Sequence, residues 1–100
     1  MSNAVLTLFR GAAATSNTTL YTSPTNVAVA VTNIAIANDS AASVTATINL
    51  ATFPLLGTVS IPANSTQFID LDQIIYNGET ITGSASTTTV DFHIAGYEVY

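Results

Sequence analysis

The stretch "TNVAVAVTNIAIAND" (residues 25–39) decides the fold prediction for this chain. Its bulky residues alternate with small ones: Val27, Val29, Val31, Ile34 and Ile36 are separated mostly by alanine. A period of two predicts a β-strand, because successive strand side chains point to opposite faces. The second face is alanine instead of the usual polar residues, so we predict that it lies close against a second sheet or a neighbouring subunit.

The alternation changes phase in the middle of this stretch, because Val31 has an odd number and Ile34 an even one. One inserted residue near Thr32-Asn33 predicts a β-bulge or a strand break there. Residues 90–99 show a similar change of phase, with Gly96 at the switch, and we predict the same irregularity in that last strand.

Short segments rich in Val, Ile and Thr recur about every ten residues along the rest of the chain: 18–22, 44–50, 54–62, 66–71, 79–86 and 89–100. This spacing predicts an all-β fold, a single β-sandwich (jelly-roll or Ig-like) of seven to eight short antiparallel strands. Asn77-Gly78 is a typical tight-turn pair. A helical turn is expected only at 70–76. We divide the chain into an N-terminal strand or arm with its connector (1–17) and a β-sandwich domain (18–100).

The charge composition excludes several classes of partner. The chain has one Arg, no Lys and a net charge of −5, so nucleic-acid phosphates and anionic membrane surfaces would repel it. No segment approaches the ~18 continuous apolar residues of a membrane helix. Residues 1–15 lack the basic start of a signal peptide. We therefore expect a protein that is made in the cytoplasm of its host without export.

Two groups of residues could carry chemistry. Asp91 and His93 share one face of a strand and could form part of a Ser/His/Asp site, but no nucleophile motif accompanies them. Asp70, Asp72 and Glu79 could surround a hard cation, although their spacing is not that of a calcium loop. We expect no enzyme activity and no cofactor or required metal, and we leave cation binding by the three acids open.

The motifs from residue 18 onward carry a resemblance: "TTLYTSP" (18–24), "VAVAVTNIAIAND" (27–39), "IIYNGETITGSAST" (74–87) and "TVDFHIAGYEV" (89–99). The chain resembles small all-β virion modules of tailed bacteriophages, of the head decoration (cement) protein type. The resemblance implies a structural protein on the capsid surface that binds the major capsid protein and stabilises the lattice. Tail-fibre, adaptor and host-surface (glycan) binding modules are also similar, and they are the alternative function.

The low charge also predicts a homo-oligomer, since exposed strands with few charges tend to pair with other chains unless a neighbouring subunit covers them. A trimer is the first expectation, because capsid lattices offer three-fold positions. The segment "AVLTLFR" (4–10) is apolar on both faces and could add to the sheet edge of a partner. The candidate interface residues are therefore Val5, Leu6, Leu8, Phe9 and Arg10. The alternative is that residues 4–10 form an ordinary strand of their own sandwich.

Overall fold

The chain forms eight β-strands in a computed structural model, which describes residues 3–99 and the side chains of residues 6–99. The strands are β1 (Asn3–Ala12), β2 (Thr18–Thr22), β3 (Ala28–Asn38), β4 (Val44–Leu50), β5 (Phe53–Ile61), β6 (Ser65–Tyr76), β7 (Thr80–Ala85) and β8 (Val90–Val99). No helix occurs within residues 3–99. The predicted all-β sandwich is confirmed, and the predicted segments 18–22 and 44–50 match β2 and β4.

The eight strands form two antiparallel sheets of four. The first sheet has the order β1-β8-β3-β6 and the second the order β2-β7-β4-β5. The partners are nested around the β4–β5 turn: β4 pairs with β5, β3 with β6, β2 with β7 and β1 with β8. The chain is thus one long folded hairpin in which consecutive strands lie in opposite sheets, except β4 and β5, which pair with each other at its turn. This topology is the jelly roll, with two Greek keys, and not the Ig-like arrangement.

The predicted bulge in β3 is confirmed. The pairing of β3 shifts register between Val31 and Asn33 on both sides, against β6 and against β8. Thr32 is the extra residue against β8, and its hydroxyl donates to the Ala95 carbonyl over 3.4 Å. Because of this insertion, the bulky residues before and after the bulge all face the second sheet and are fully buried: Val29, Val31, Ile34 and Ile36.

The predicted irregularity in β8 is wrong. Val90, Phe92, Ile94 and Gly96 are all buried in one unbroken alternation. The shifts lie instead in the neighbouring strands, at Thr32 of β3 and between residues 7 and 9 of β1. Gly96 continues the inward face of β8, and its lack of a side chain produced the apparent change of phase in the sequence.

The helical turn expected at 70–76 is also wrong, because these residues belong to β6. Its pairing with β3 is irregular there, because the three residues 31–33 of β3 lie opposite the four residues 70–73 of β6. The apolar alternation of the sequence fails there because Gln73 pairs with the inward Val31, whereas the apolar Ile74 pairs with the outward Ala30. β5 is one of the two outer strands of the second sheet, which is why it tolerates Pro54, a residue without an N–H for a ladder.

The core between the sheets consists mainly of Ile and Val with Phe92 at its centre. Each large side chain that it buries contributes about 1.5–3 kcal/mol relative to exposure. At one end the buried Asn38 side chain organises two loops. Its Nδ2 donates to the carbonyls of Ala42, Ile61 and Pro62, and its Oδ1 accepts from the Ser40 N–H. Every polar atom of this amide therefore has a partner.

Two tight turns have the same backbone conformation but very different residues. Asn77 and Gly78 have φ values of 51° and 88°, and the Glu79 N–H donates to the Tyr76 carbonyl, which confirms the predicted turn. Ala51 and Thr52, between β4 and β5, have φ values of 51° and 70°. Positive φ at two consecutive residues suits Asn-Gly and is unfavourable for Ala and a β-branched Thr. The innermost hairpin of the fold thus carries backbone strain.

Substituting Gly96→Ala should destabilise the protein strongly. A Cβ at this position would overlap the main-chain carbonyl oxygen of Ala30 and lie 3.0 Å from Leu8 Cδ1. We expect a loss of about 2–3 kcal/mol, or a melting temperature lower by roughly 10 °C or more. Gly57→Ala is the matched control, because no other heavy atom lies within 4 Å of the position that its Cβ would take. Equal melting temperatures for the two variants would contradict this account of Gly96.

Replacing Ala51-Thr52 by Asn-Gly should stabilise the protein by about 1 kcal/mol, because the strain of two positive φ values exceeds the entropic cost of glycine. Thermal unfolding measures the change. The reverse exchange at the other turn, Asn77→Ala with Gly78→Thr, is the control and should lower the melting temperature. If the Asn-Gly variant melts at or below the temperature of the parent chain, the turn is not strained.

Candidate functional site

The alanines of β3 lie on the solvent side of the first sheet, which we call the outer face. Register places Ala30 between Ile74 of β6 and Tyr97 of β8, and Ala35 between Phe68 and His93. Ala30 is 1% exposed and Ala35 8% exposed, because these larger neighbours flank them. The prediction that the alanine face packs on the second sheet is wrong, since the Val and Ile residues occupy that side. Contact of this face with a neighbouring subunit stays a prediction.

The outer face carries an apolar edge along β6. Phe68, Ile74 and Tyr76 are 69%, 58% and 48% exposed, and all three pair with outward alanines of β3. Phe53, at the start of β5, is 74% exposed and lines a shallow depression together with Ile74. Single exposed apolar residues are ordinary, but several large ones along one strand indicate an interaction surface.

This apolar edge was not predicted from the sequence, although a signal for it was present. In residues 66–76 both alternating sets contain large apolar residues: Ile69 and Ile75 on one side, Phe68, Ile74 and Tyr76 on the other. A strand with one solvent face should be apolar on one side only. Taking 70–76 as a possible helical turn concealed the pattern.

The outer face carries few charged side chains, and its acids are Asp70 and Asp72 on β6 and Asp91 on the inner strand β8. Arg10 on β1 is exposed and pairs in register with the exposed His93 of β8. Asp70 lies on β6 at the other side, where its Oδ1 accepts a hydrogen bond from Asn33 Nδ2 over 3.1 Å. The positive group and the nearest acid of β6 are thus separated by the whole width of the sheet.

The N-terminal candidate residues belong to β1, which pairs with β8 at the side of the first sheet. Leu8 is buried in the core, Leu6 and Phe9 are half-buried against it, and Arg10 is exposed. The register shift between residues 7 and 9 lets residues from both sides of the alternation reach the core. The side chain of Val5 lies outside the described part of the chain. A contact between this strand and a partner stays a prediction.

The residues considered for chemistry are not assembled into a site. Asp91 and His93 both lie on the outer face of β8, as expected for one strand face. Asp70 bonds Asn33, whereas Glu79 Oε1 accepts from the Tyr76 N–H in the turn after β6. Among residues 3–99, no group of three or more His, Asp or Glu residues could hold a metal ion. The absence of enzyme activity and of a required metal stays a prediction.

A second depression, at the end of β3, is polar and is lined by Asn38, Asp39, Asn64, Thr66 and Asp91 among others. The Asn38 amide in it is already fully bonded by loop carbonyls and the Ser40 N–H. In the part of the chain that the structure describes, no helix has the length and apolar character needed to cross a membrane.

Comparison with known proteins finds similarity in structure but not in sequence. No protein-family model matches the chain, and no curated protein matches it. A chain of the T13 viral particle of infectious bursal disease virus (IBDV) aligns with 96% of this chain, with a TM-score of 0.54 and 6% identity. A chain of the Gx strain of that virus aligns with 97%, with a TM-score of 0.49 and 12% identity.

This chain spans only about a third of the length of those two chains, 30% and 32% respectively. At 6% identity, the first alignment shows a shared fold and nothing more specific. The neighbours are proteins of an icosahedral virus particle, and they are not tailed-bacteriophage decoration proteins.

Deleting residues 1–10 tests whether β1 is a structural strand or a separable arm. The deletion removes Leu8 from the core and uncovers β8, so we expect loss of the cooperative unfolding transition in thermal melts. Leu8→Ala is the milder variant and should cost about 2–4 kcal/mol. Thr7→Ala, on the exposed side of the same strand, is the control and should change stability little. A truncated chain that melts like the parent would identify β1 as an arm.

Proposed function

We propose that this chain is a structural protein of a virus particle, a decoration (cement) protein that binds the outside of a phage head lattice and stabilises it. The observation that supports a virion role is the shared jelly-roll fold, which extends over 96% of the chain and is also found in a chain of an icosahedral virus particle. Jelly rolls occur in viral capsid proteins and also in lectins and cupins, so the fold alone does not decide between these roles.

The surface supports attachment through apolar contact. Four large apolar side chains are between 48% and 74% exposed, and three of them lie on β6, where Asp70 and Asp72 separate Phe68 from Ile74 and Tyr76. A single Arg leaves little scope for attachment by positive charge, and the net charge of −5 opposes contact with packaged nucleic acid. Stable protein–protein interfaces that form once and persist are relatively apolar. A protein that stays docked on a lattice of other proteins meets this requirement.

The proposed partner is the major capsid protein, and the bacteriophage origin of the proposal comes from the motifs of residues 18–99. The predicted homo-oligomer belongs to the same proposal. A trimer would occupy a three-fold position of the lattice, and the exposed β6 side chains would be covered either between copies or against the capsid.

Binding to heads tests the proposal directly. Purified heads of the phage that encodes the chain, stripped of the protein or assembled without it, are mixed with the recombinant protein and sedimented. We expect saturable co-sedimentation and heads that resist heating or low salt better than undecorated ones. Phe68→Ser should weaken binding by at least about tenfold, as loss of an exposed aromatic anchor does at an interface. Thr45→Ser, an exposed position on the second sheet, is the control.

Immunogold labelling of whole virions distinguishes the alternative function. Label on the head supports decoration. Label on the tail or its fibres would replace decoration by the tail-module alternative, for which binding to host-surface glycans is then assayed. Virions without label at either place, together with no co-sedimentation, would overturn the virion proposal.

A further inference from the structure

The outer face combines a ridge and a trough of matching length on adjacent strands. At four of the five outward pairs β8 carries the larger residue and β3 an alanine, whereas at the fifth Ala95 of β8 pairs with Asn33 of β3. Register pairs Val99 with Ala28, Tyr97 with Ala30, and His93 with Ala35. On the other side of the trough stand Ile74 and Phe68 of β6. The face is therefore shaped to accept a ridge of side chains spaced like its own.

We propose, in place of the trimer considered above, that the outer face binds the outer face of a second copy of this chain around a two-fold axis. The axis runs parallel to the strands, between β8 and β3. This operation lays the β8 ridge of each copy over the β3 trough of the other. It keeps the position of each residue along the strands, so residues that are register partners within one copy form a row that faces the same row of the other copy. Tyr97 of one copy then lies over Ala30 of the other, and the reverse contact is made at the same time, as an isologous interface requires.

The same operation brings the opposite charges together. β1 of each copy lies over β6 of the other, so Arg10 falls in the row of the partner's Phe68, because Arg10, His93, Ala35 and Phe68 are successive register partners. The partner's Asp70 is one row further, about 7 Å along the strand. An extended arginine can stack on the Phe68 ring and reach the Asp70 carboxylate. The pair forms twice in the dimer.

The area of the face is sufficient for a stable pair. The sandwich measures 45 Å by 21 Å by 18 Å, so a broad side offers up to about 900 Å², compared with the roughly 800 Å² per partner of a standard interface. Aligned packing of two sheets at about 10 Å separation uses this side fully.

Pairing of β6 edges is the less favourable arrangement for a second copy. β6 is one of the two outer strands of the first sheet, the other being β1, and an antiparallel β6–β6 pair centred on Leu71 would place Asp70 and Asp72 of both copies side by side. Four carboxylates in adjacent positions repel one another. In face-to-face pairing, by contrast, each Asp70 lies near the partner's arginine.

Charge exchange combined with sedimentation equilibrium tests this pairing. The parent chain should change from 10.3 kDa to twice that mass as its concentration rises from about 1 μM to about 1 mM, a range that brackets moderate dissociation constants. Arg10→Asp and Asp70→Arg each place like charges together twice in the dimer. Each should therefore raise the dissociation constant roughly 10- to 100-fold. The double variant R10D/D70R exchanges the two charges and should restore the parent constant to within a few fold.

Ser60→Arg adds a charge to the exposed side of β5 in the second sheet and is the control, which should leave the dissociation constant unchanged. All variants change exposed residues, and matching melting temperatures of dilute samples verify their folds. A parent chain that stays monomeric throughout, a trimer that is insensitive to the exchange, or a double variant as weak as the single ones would each overturn the proposal.

Discussion

The single extra residue in β3 is the constraint on which the rest of the structure depends. Side chains alternate with a period of two, so a shift of one residue moves a whole set of side chains to the other face. Without Thr32, the Ile residues after it would point to solvent while the Val residues before it pointed to the core. With it, all of them pack against the second sheet, and the alanines fall together on the outer face. Gly96 of β8 then lets the main chain at Ala30 approach closely beside the bulge.

Local patterns were sufficient to predict the strands and the β3 bulge, because alternation and β-branched residues are properties of a few neighbouring residues. The order of the strands was not predictable in this way, since the nested pairs join residues as distant as Asn3 and Val99. The same limit explains the errors. A glycine at an inward position imitated a bulge in β8, and the inward Gln73 followed by the outward Ile74 imitated a helical turn. The alternation showed that β3 has one small face but could not tell which side was outside.

The candidate surface was less predictable than the fold. Exposure of Phe68 and Ile74 depends on β6 being an outer strand, which only the sheet order reveals. The N-terminal residues were identified as an interface because they are apolar on both faces. In the structure the register shift of β1 allows three of these apolar side chains, Leu6, Leu8 and Phe9, to contact the chain's own core. Among the members whose side chains the structure describes, from Leu6 to Arg10, the exposed one is Arg10.

This placement bears on how two copies could associate through β1. Strand addition to a neighbour would first remove Leu8 and its half-buried neighbours from the core, at about 1.5–3 kcal/mol for a fully buried side chain, and it would also break the pairing with β8. Only an exchange that rebuilt the same contacts in the other copy could recover that cost. Face-to-face pairing leaves β1 in place and uses Arg10, which is already exposed. Of the two ways to join copies of this chain, the one that preserves the first sheet therefore starts from the lower free energy.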